Sequence, residues 1–414
     1  MLLAEKHIID SNHSLYSECD RLCFLSKNLF NASTYSIRQH YDIDKTYLNY
    51  HTLSKNFSEN NNPDYRALPA KVSQQIMMIV DRNHKSFFAL LKSYNKTPNK
   101  FKAKPELPRY KHKTKGRNIL VYTCQSISYK IAGYIKLSNT DIIIQTNKKN
   151  IKQVRIVPMK GRYKIEVVYE QKELTKLEDN NGSYCGIDIG LNNLFAVAFN
   201  DKHNRNILVN GRPLKGINQY YNKKKAKIQS ELAIKNKYTN KDKEIQERKS
   251  SKRLLKLTNK RNNKIDDYVH KSTCKLVKEL KQTNVSKVVI GKNQEQKQDI
   301  NLGTKNNQNF VSIPHARIID TLKYKLELNG FEVIIREESY TSKCSAYDNE
   351  TIGFNESYLG KRIKRGLFKT KDKLLINADI NGACNILRKE LPNSFNDNGI
   401  EGVLVHPKML HIER

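Results

Sequence analysis

The sequence predicts an α/β protein in which a mixed sheet follows a helical module and a smaller all-β region. From Tyr184 onward, short apolar strands alternate with helical patterns, which is the order of a mixed α/β sheet. Between residues 118 and 169, short alternating runs separated by turn signals indicate a small β-barrel. The chain has 414 residues, so two or three domains are expected.

The N-terminal region predicts one strand over residues 1–13 and a helical module over residues 14–95. Apolar residues such as Leu22 and Leu29, and later Ile76 and Val80, recur at the spacing of amphipathic helices. The Asn-rich, proline-containing stretch between residues 56 and 65 predicts a loop that joins the helices.

Residues 96–175 are predicted to form the β-barrel together with a basic segment that begins near residue 92. Prolines exclude a long helix between residues 92 and 117, so an extended strand of basic and aromatic side chains is expected. Nucleotides could stack on its rings, and a solvated linker is the alternative interpretation. The candidate nucleic-acid contacts are Lys100, Lys102, Lys104, Arg109, Tyr110 and Lys111.

The charge indicates the class of partner. Lys and Arg number 75 against 41 Asp and Glu, which gives a net charge of +34 and a pI near 9.7. Such a chain favours a polyanion, and salt-sensitive binding to nucleic acid is expected. No stretch approaches the roughly 20 apolar residues that span a bilayer, so a membrane partner is not expected. The seven cysteines form no regular framework and the N-terminus does not resemble a secretion signal. A cytoplasmic, nucleoid-associated protein is therefore expected.

Two acidic motifs indicate the chemistry. Asp188 lies in an apolar run that reads as the first arm of a β-hairpin, and a buried carboxylate needs a cation, a hydrogen-bond cage or a metal. Asp379 stands at the start of a late apolar helix, where an Asp can also be only an N-terminal cap. An early strand Asp paired with a late helix-start Asp is typical of RNase H-like folds, which bind divalent metal ions between them.

The α/β region predicted from Tyr184 onward covers residues 183–392, and a tail of residues 393–414 follows it. Residues 211–282 form a basic helical insertion, interpreted as a helical pair that faces nucleic acid. A short strand ends at Gly291, a helix carries Pro314 in its first turn, and another strand runs to Ile335.

Several blocks of sequence in a fixed order resemble the TnpB family, the transposon-encoded RNA-guided nucleases related to type V CRISPR effectors and Fanzor proteins. The blocks are residues 65–75, 101–105, 108–111, 186–190, 290–293, 313–315, 338–343 and 377–387. The resemblance implies an RNase H-like (RuvC) nuclease domain behind an N-terminal wedge β-barrel with an inserted helical recognition module. It also implies a guide RNA from the transposon end, and magnesium-dependent cleavage of double-stranded target DNA.

The chain departs from the family at the third catalytic acid. Most members carry a Glu at the strand end where this sequence has Gly291, which has no side chain to ligate a metal. Glu338, one strand further along the predicted sheet, is the candidate replacement, as in a subset of TnpB and Fanzor proteins. Glu337 is its neighbouring alternative, because only one of the two should face the site, and Glu295 is a weaker third.

A second departure concerns zinc. Family members place paired CxxC motifs before the last Asp, whereas the segment 340–376 holds Cys344 as its one cysteine, so no zinc site is expected. This insertion is predicted to bind target nucleic acid through its basic charge. The candidate contacts there and near the strand of Gly291 are Lys361, Arg362, Arg365, Lys292 and Asn293.

The predicted chemistry is phosphodiester hydrolysis with two Mg²⁺ ions about 4 Å apart, held by Asp188, Glu338 and Asp379. Carboxylates suit Mg²⁺ because it prefers hard oxygen ligands. Three alternatives stay open: a repressor-like RNA-guided DNA-binding protein without cleavage, an accessory or strand-transfer transposase, and a generic basic RNA-binding protein. Gly291 favours the first of these, and the presence of both aspartates argues against it. The oligomeric state is left open.

Overall fold

The computed structural model describes residues 1–172, 175–177, 182–201, 203–239, 251–293, 313–364, 366–395 and 407–412, with only the backbone for 235–239. The chain forms two units, Met1–Lys172 and Glu173–Arg414. Among these described ranges, no helix has both the length and the apolar content needed to cross a membrane.

The predicted helical module of the first unit is present. Its helices are α1 (Tyr16–Asp44), α2 (Tyr50–Glu59), α3 (Pro63–Arg66) and α4 (Ala70–Lys96). The prediction of a loop between residues 56 and 65 is wrong, because α2 extends into that stretch and α3 begins inside it. The Asn62 side chain accepts hydrogen bonds from the backbone of Asp64 and Tyr65, and Pro63 suits the first helical position.

Seven strands complete the first unit: β1 (Leu2–Ile9), β2 (Leu120–Thr123), β3 (Ile127–Ser128), β4 (Tyr134–Leu137), β5 (Ile143–Gln145), β6 (Ile151–Met159) and β7 (Arg162–Glu170). They form an antiparallel four-stranded sheet in the order β1-β7-β6-β2 and an antiparallel three-stranded sheet in the order β3-β4-β5. The predicted strands are therefore present, and their closure into a barrel stays a prediction.

Residues 97–117 of the basic segment are extended, as the prolines predict, apart from a short 3-10 helix at Pro98–Lys100 and a turn at residues 113–115, whereas residues 92–96, also predicted as extended, belong to α4. The segment is attached to α1 by side-chain hydrogen bonds to its backbone. Asn31 Nδ2 donates to the carbonyl of Lys111 over 2.9 Å, and Arg38 donates to the carbonyl of Pro108 over 2.6 Å. The Arg38 guanidinium also lies over the Tyr110 ring, 4.5 Å from its centre.

The second unit is built on a six-stranded mixed sheet. Its strands are β8 (Tyr184–Asp188), β9 (Asn193–Phe199), β10 (Ile207–Asn210), β11 (Lys287–Gly291) and β12 (Glu332–Arg336), and a short tail strand from Lys408 to Leu410 lies at one edge. The order runs β12-β11-β8-β9-β10 and then the tail strand. β11 is parallel to both β8 and β12, whereas β9 is antiparallel to β8 and β10. The tail strand pairs in parallel with β10, a pairing that the sequence reasoning missed.

Helices cover both faces of this sheet. On one face, Cys185 and Ile187 of β8 share a buried cluster with residues of α6 (Lys252–Leu280) and α7 (His315–Leu328), which follow α5 (Arg212–Thr239). On the other face, Ala196 and Val289 share a buried cluster with α8 (Ala378–Glu390). Side chains alternate between the two faces along each strand, so Asp188 and Gly291 belong to the α8 face.

A smaller antiparallel sheet precedes α8. It consists of β13 (Lys361–Lys364), β14 (Leu367–Lys369) and β15 (Leu375–Asn377), in that order. β15 leads directly into α8. The first residue of the helix is therefore held both by this sheet and by the packed face of the six-stranded sheet. With the tail strand counted as β16, the chain has sixteen described strands.

Candidate active site

Asp188 is the last residue of β8 and points toward α8. The side-chain oxygen Oδ2 of Asp188 lies 3.1 Å from the position that a Cβ on Gly382 of α8 would occupy. Gly186 lies two residues before Asp188 on β8. A Cβ at this position would press against the backbone carbonyl of Ala383 and would lie 2.9 Å from Leu387 Cβ. These two glycines let α8 approach β8 closely, and the approach sets the separation between the Asp188 strand and the Asp379 helix.

Gly291 ends β11 beside Asp188, because Ile290 pairs with Ile187 in the parallel ladder. On its other side, Gly291 pairs with Arg336 of β12, two residues before Glu338. The Glu338 carboxylate reaches back over this strand end: its Oε2 lies 2.5 Å from where a Cβ on Gly291 would be. The space that a side chain would take at position 291 is therefore filled by a carboxylate from the adjacent strand's loop.

Glu337 is directed elsewhere. Its carboxylate accepts hydrogen bonds from Lys389 Nζ over 2.6 Å and from the backbone and hydroxyl of Ser339 over 2.8 and 2.6 Å. Burial opposes the charged form of Glu337, but these hydrogen bonds outweigh it and hold its pKa below the ordinary value. The two neighbouring glutamates thus differ in role, and Glu338 is the one at the strand end.

Asp379 lies in the first turn of α8, and Asn377 rather than Asp379 is the capping residue. The Asn377 side chain accepts hydrogen bonds from the backbone of Asp379 and Ile380. The Asp379 carboxylate is therefore available for other partners. Asn193 Nδ2, at the start of β9, donates to its Oδ2 over 2.8 Å, and Arg362 on β13 donates to its Oδ1 over 2.9 Å.

The negative charges of Glu338 and Asp379 act electrostatically on Asp188. Burial raises the pKa of Asp188 well above its ordinary value, and the negative charges of Glu338 and Asp379 raise it further. The positive charge of Arg362 and a hydrogen bond from the Ile189 backbone oppose this rise. Neighbouring carboxylates that disfavour each other's ionisation are the arrangement that a cation stabilises.

The donor set fits magnesium. Asp188, Glu338 and Asp379 offer oxygen ligands, which Mg²⁺ prefers, and their mutual repulsion is the kind that a divalent ion relieves. Both oxygens of Asp379 are engaged in the structure by Asn193 and Arg362. Within the described ranges, no three His, Cys, Asp or Glu side chains are grouped closely enough to form a ready metal cluster.

The sequence predicted Arg362 only as a contact for nucleic acid, and it did not identify Asn193 as a residue of the site. Both contacts with Asp379 depend on how separate elements pack, and no local signal in the sequence gives them. The other predicted contacts Lys292 and Lys361 are exposed and Asn293 is half-buried, whereas Arg365 and Glu295 lie outside the described residues.

Among the predicted contacts in the basic segment, Lys100, Lys102 and Lys104 are exposed. Arg109 pairs with Glu106 over 2.5 Å. Lys111 is half-buried, with its Nζ 4.8 Å from the centre of the Phe30 ring, and burial lowers its pKa. Arg109 and Tyr110 are exposed as well, so Lys111 is the least accessible member of the predicted set.

The segment around Cys344, where the resemblance led us to look for zinc-binding cysteines, is held by hydrogen bonds. The buried Cys344 thiol donates to the carbonyls of Thr351 and Gly353 over 3.6 and 3.8 Å. Asn385 Nδ2 of α8 donates to the Cys344 carbonyl over 2.7 Å, and Arg388 donates to the Glu350 carbonyl over 3.1 Å. These bonds attach the loop before β13 to the same helix that carries Asp379. The absence of zinc stays a prediction.

Comparisons with known families give two matches. Residues 165–297 match the family described as probable transposase, OrfB_IS605. Residues 315–386 match the Cas12f1-like TNB domain. The first match contains Asp188 and Gly291, and the second contains Glu338, Arg362 and Asp379. The predicted resemblance to the TnpB family is confirmed by these matches. No curated protein matches the sequence.

Solved structures show a related fold. A cryo-EM structure of a Cas12f1-sgRNA-target DNA complex aligns with a TM-score of 0.52 at 15% identity, covering 89% of this chain and 82% of that one. A CRISPR-Cas12f ternary complex aligns at 0.35 with 14% identity over 90% of this chain and 82% of that one, too loosely to support an argument. The first likeness shows that this chain shares the fold of that Cas12f1 chain, with mixed sheets and helices.

Proposed function

From the resemblance of this chain to the TnpB family, we propose that it is an RNA-guided DNA endonuclease encoded by a transposon. The observation that carries the proposal is the position of the Glu338 carboxylate over Gly291, beside Asp188. This carboxylate supplies a third acid at the strand end, where most TnpB proteins carry a Glu and this chain has Gly291. The partners are a guide RNA transcribed from the transposon end and a double-stranded target DNA, and the proposed location is the cytoplasm, at the nucleoid.

In this proposal Asp188, Glu338 and Asp379 hold the magnesium ions. Magnesium supplies an activated water and charge stabilisation at the leaving oxygen of the phosphodiester. The protein contributes rigid placement, because Asp188 ends a central strand and Asp379 begins a helix packed against it. Asn193 orients the Asp379 carboxylate by donating to one of its oxygens.

Arg362 contributes a positive charge at the mouth of the site. Its guanidinium touches Asp379 while 42% of its side chain is exposed, so it can also contact a phosphate that enters from solvent. A preorganised cation of this kind stabilises charge that develops on phosphate oxygens. Arg362 is therefore proposed as a substrate-contacting residue in addition to its contact with Asp379.

The Arg362→Ala variant tests this role. We expect target cleavage to slow about 10²-fold, because one charge-stabilising donor is removed from the reacting phosphate. Guide-RNA binding should stay unchanged. Lys364→Ala removes an exposed positive charge from the same strand, β13, at a position outside the predicted contacts, and is the matched control. Equal single-turnover rates for the two variants would contradict the assignment.

The proposed function is tested with the complete chain purified together with its own RNA. Sequencing that RNA identifies the guide, and a DNA duplex that contains the matching sequence then serves as substrate. The proposal predicts cleavage that requires Mg²⁺ and the matching guide. A target that is bound tightly but left uncut would establish the repressor-like alternative, and DNA joining would establish a strand-transfer transposase.

A further inference from the structure

A cleft of about 820 Å³ opens between α5 and α6 of the second unit. Its lining includes Tyr220 and Tyr221 from α5, Lys260 and Lys264 from α6, and Ile412 from the tail that follows β16. None of the proposed catalytic residues lines it. A second binding function for this surface is therefore separable from catalysis.

The lining carries a strong excess of positive charge. Besides Lys260 and Lys264, it includes Arg212 and Lys271, and all four side chains are exposed. The acidic side chain in the lining is Asp267, which pairs with Lys271 over 3.0 Å. Exposed cations around a partly apolar floor fit a ligand that combines anionic groups with a flat apolar body, and a nucleotide has both.

The two tyrosines of α5 that line the cleft are placed differently. Tyr221 is fixed: its hydroxyl is 3.1 Å from the Thr258 hydroxyl, and the Arg261 guanidinium lies 5.5 Å from its ring centre. Arg261 is itself held by Asn218, which accepts from its Nε over 2.8 Å. Tyr220, by contrast, is 59% exposed. An exposed ring beside a fixed one offers a surface on which an unpaired base can stack.

Gly216 keeps the cleft open. It lies within α5 and lines the cleft, and a Cβ at this position would meet no atom within 4 Å. Gly is among the least favourable residues in a helix interior, and neither a positive φ nor close packing requires it here. The missing side chain therefore leaves space in the cleft for a ligand.

We propose that this cleft binds an unpaired nucleotide of the guide RNA, with the base stacked on Tyr220 and the phosphates near Lys260 and Lys264. The inference rests on the proposed function, because that function supplies an RNA that stays bound to the protein. RNA is favoured over DNA because the target strand must reach the acidic site, with which this cleft shares no lining residue.

Four variants of the full chain test the proposal. Gly216→Leu places a side chain in the cleft, Tyr220→Ala removes the aromatic ring, and Tyr220→Phe keeps the ring without its hydroxyl. Ala226→Leu adds a leucine at an exposed position of the same helix outside the cleft lining and is the matched control. The probes are a uridine oligoribonucleotide and a thymidine oligodeoxyribonucleotide of equal length, with affinities measured by fluorescence anisotropy on nucleic-acid-free protein.

We expect Gly216→Leu and Tyr220→Ala to weaken binding of the uridine probe about tenfold, and Tyr220→Phe and Ala226→Leu to bind it like the unaltered protein. The melting temperature of Gly216→Leu should equal or exceed that of the unaltered chain, since leucine favours helix. The proposal would be overturned if Gly216→Leu and Tyr220→Ala bound the uridine probe as tightly as Ala226→Leu does. Weakening confined to the thymidine probe would also overturn it, by making DNA the occupant.

Failure of the cleft proposal and failure of the nuclease proposal give different results. If the unaltered protein fails to cut guided DNA while the uridine probe separates the variants as expected, the nuclease proposal falls and the cleft assignment is supported. If the unaltered protein cuts while the variants bind the uridine probe equally, only the cleft assignment falls.

Discussion

Glu338→Gln is expected to abolish target cleavage while leaving the affinities for guide RNA and target DNA within about twofold of the unaltered protein. The change keeps the size of the side chain and removes only its charge, so the space beside Gly291 stays filled. A neutral amide cannot replace a carboxylate as a ligand of Mg²⁺ with comparable strength. The loss should therefore appear in the chemical step, measured under single-turnover conditions with saturating protein.

Glu337→Gln is the matched control for this prediction. It makes the same chemical change one residue earlier, where the carboxylate is bound by Lys389 and Ser339. We expect this variant to lose some stability and to retain cleavage. If Glu338→Gln cut DNA as fast as Glu337→Gln, the third acid would have to be sought elsewhere.

Gly291→Ala is expected to reduce cleavage about 10²-fold through displacement of the Glu338 side chain. A Cβ at position 291 would lie 2.5 Å from Glu338 Oε2 and 2.5 Å from Ile386 Cδ1, both closer than such atoms can approach. Both are the ends of flexible side chains, so the chain can still fold, at an overpacking cost of about 1–3 kcal/mol. The carboxylate moves away from the strand end, and the reacting geometry is lost with it.

The matched control for this second prediction is Gly353→Ala. A Cβ on Gly353 would meet no atom within 4 Å, and the residue lies outside the strand ends. Its thermal unfolding and cleavage rate should match those of the unaltered protein. A Gly291→Ala variant that unfolds at a lower temperature but cleaves at the full rate would show that Glu338 is not needed in its present position.

Much of this site could be predicted from the sequence because its parts have local signatures. Asp188 stands out as an acid in an apolar strand, and Asp379 as an acid in a helix-start motif. The strand order that brings Glu338 beside Gly291 follows from the alternation of strands and helices, since β12 lies next to β11 and β11 next to β8.

The contacts that the sequence did not predict depend on side chains from separate elements. Asn193 and Arg362 reach Asp379 only because the hairpin and the small sheet meet at the start of α8. The tail strand β16 was missed because three residues carry too little periodicity to indicate a strand. The helix α3 did have a signature, Asn62 followed by Pro63, which a closer reading of capping rules would have found.

The positions of the metal ions can be measured by replacing Mg²⁺ with Mn²⁺ in the complete complex and locating the ions by anomalous scattering. We expect ions within about 2.2 Å of carboxylate oxygens of Asp188, Glu338 and Asp379, with Glu337 still bound to Lys389. Ions bound by the two aspartates alone, with the Glu338 carboxylate out of coordination distance, would contradict it.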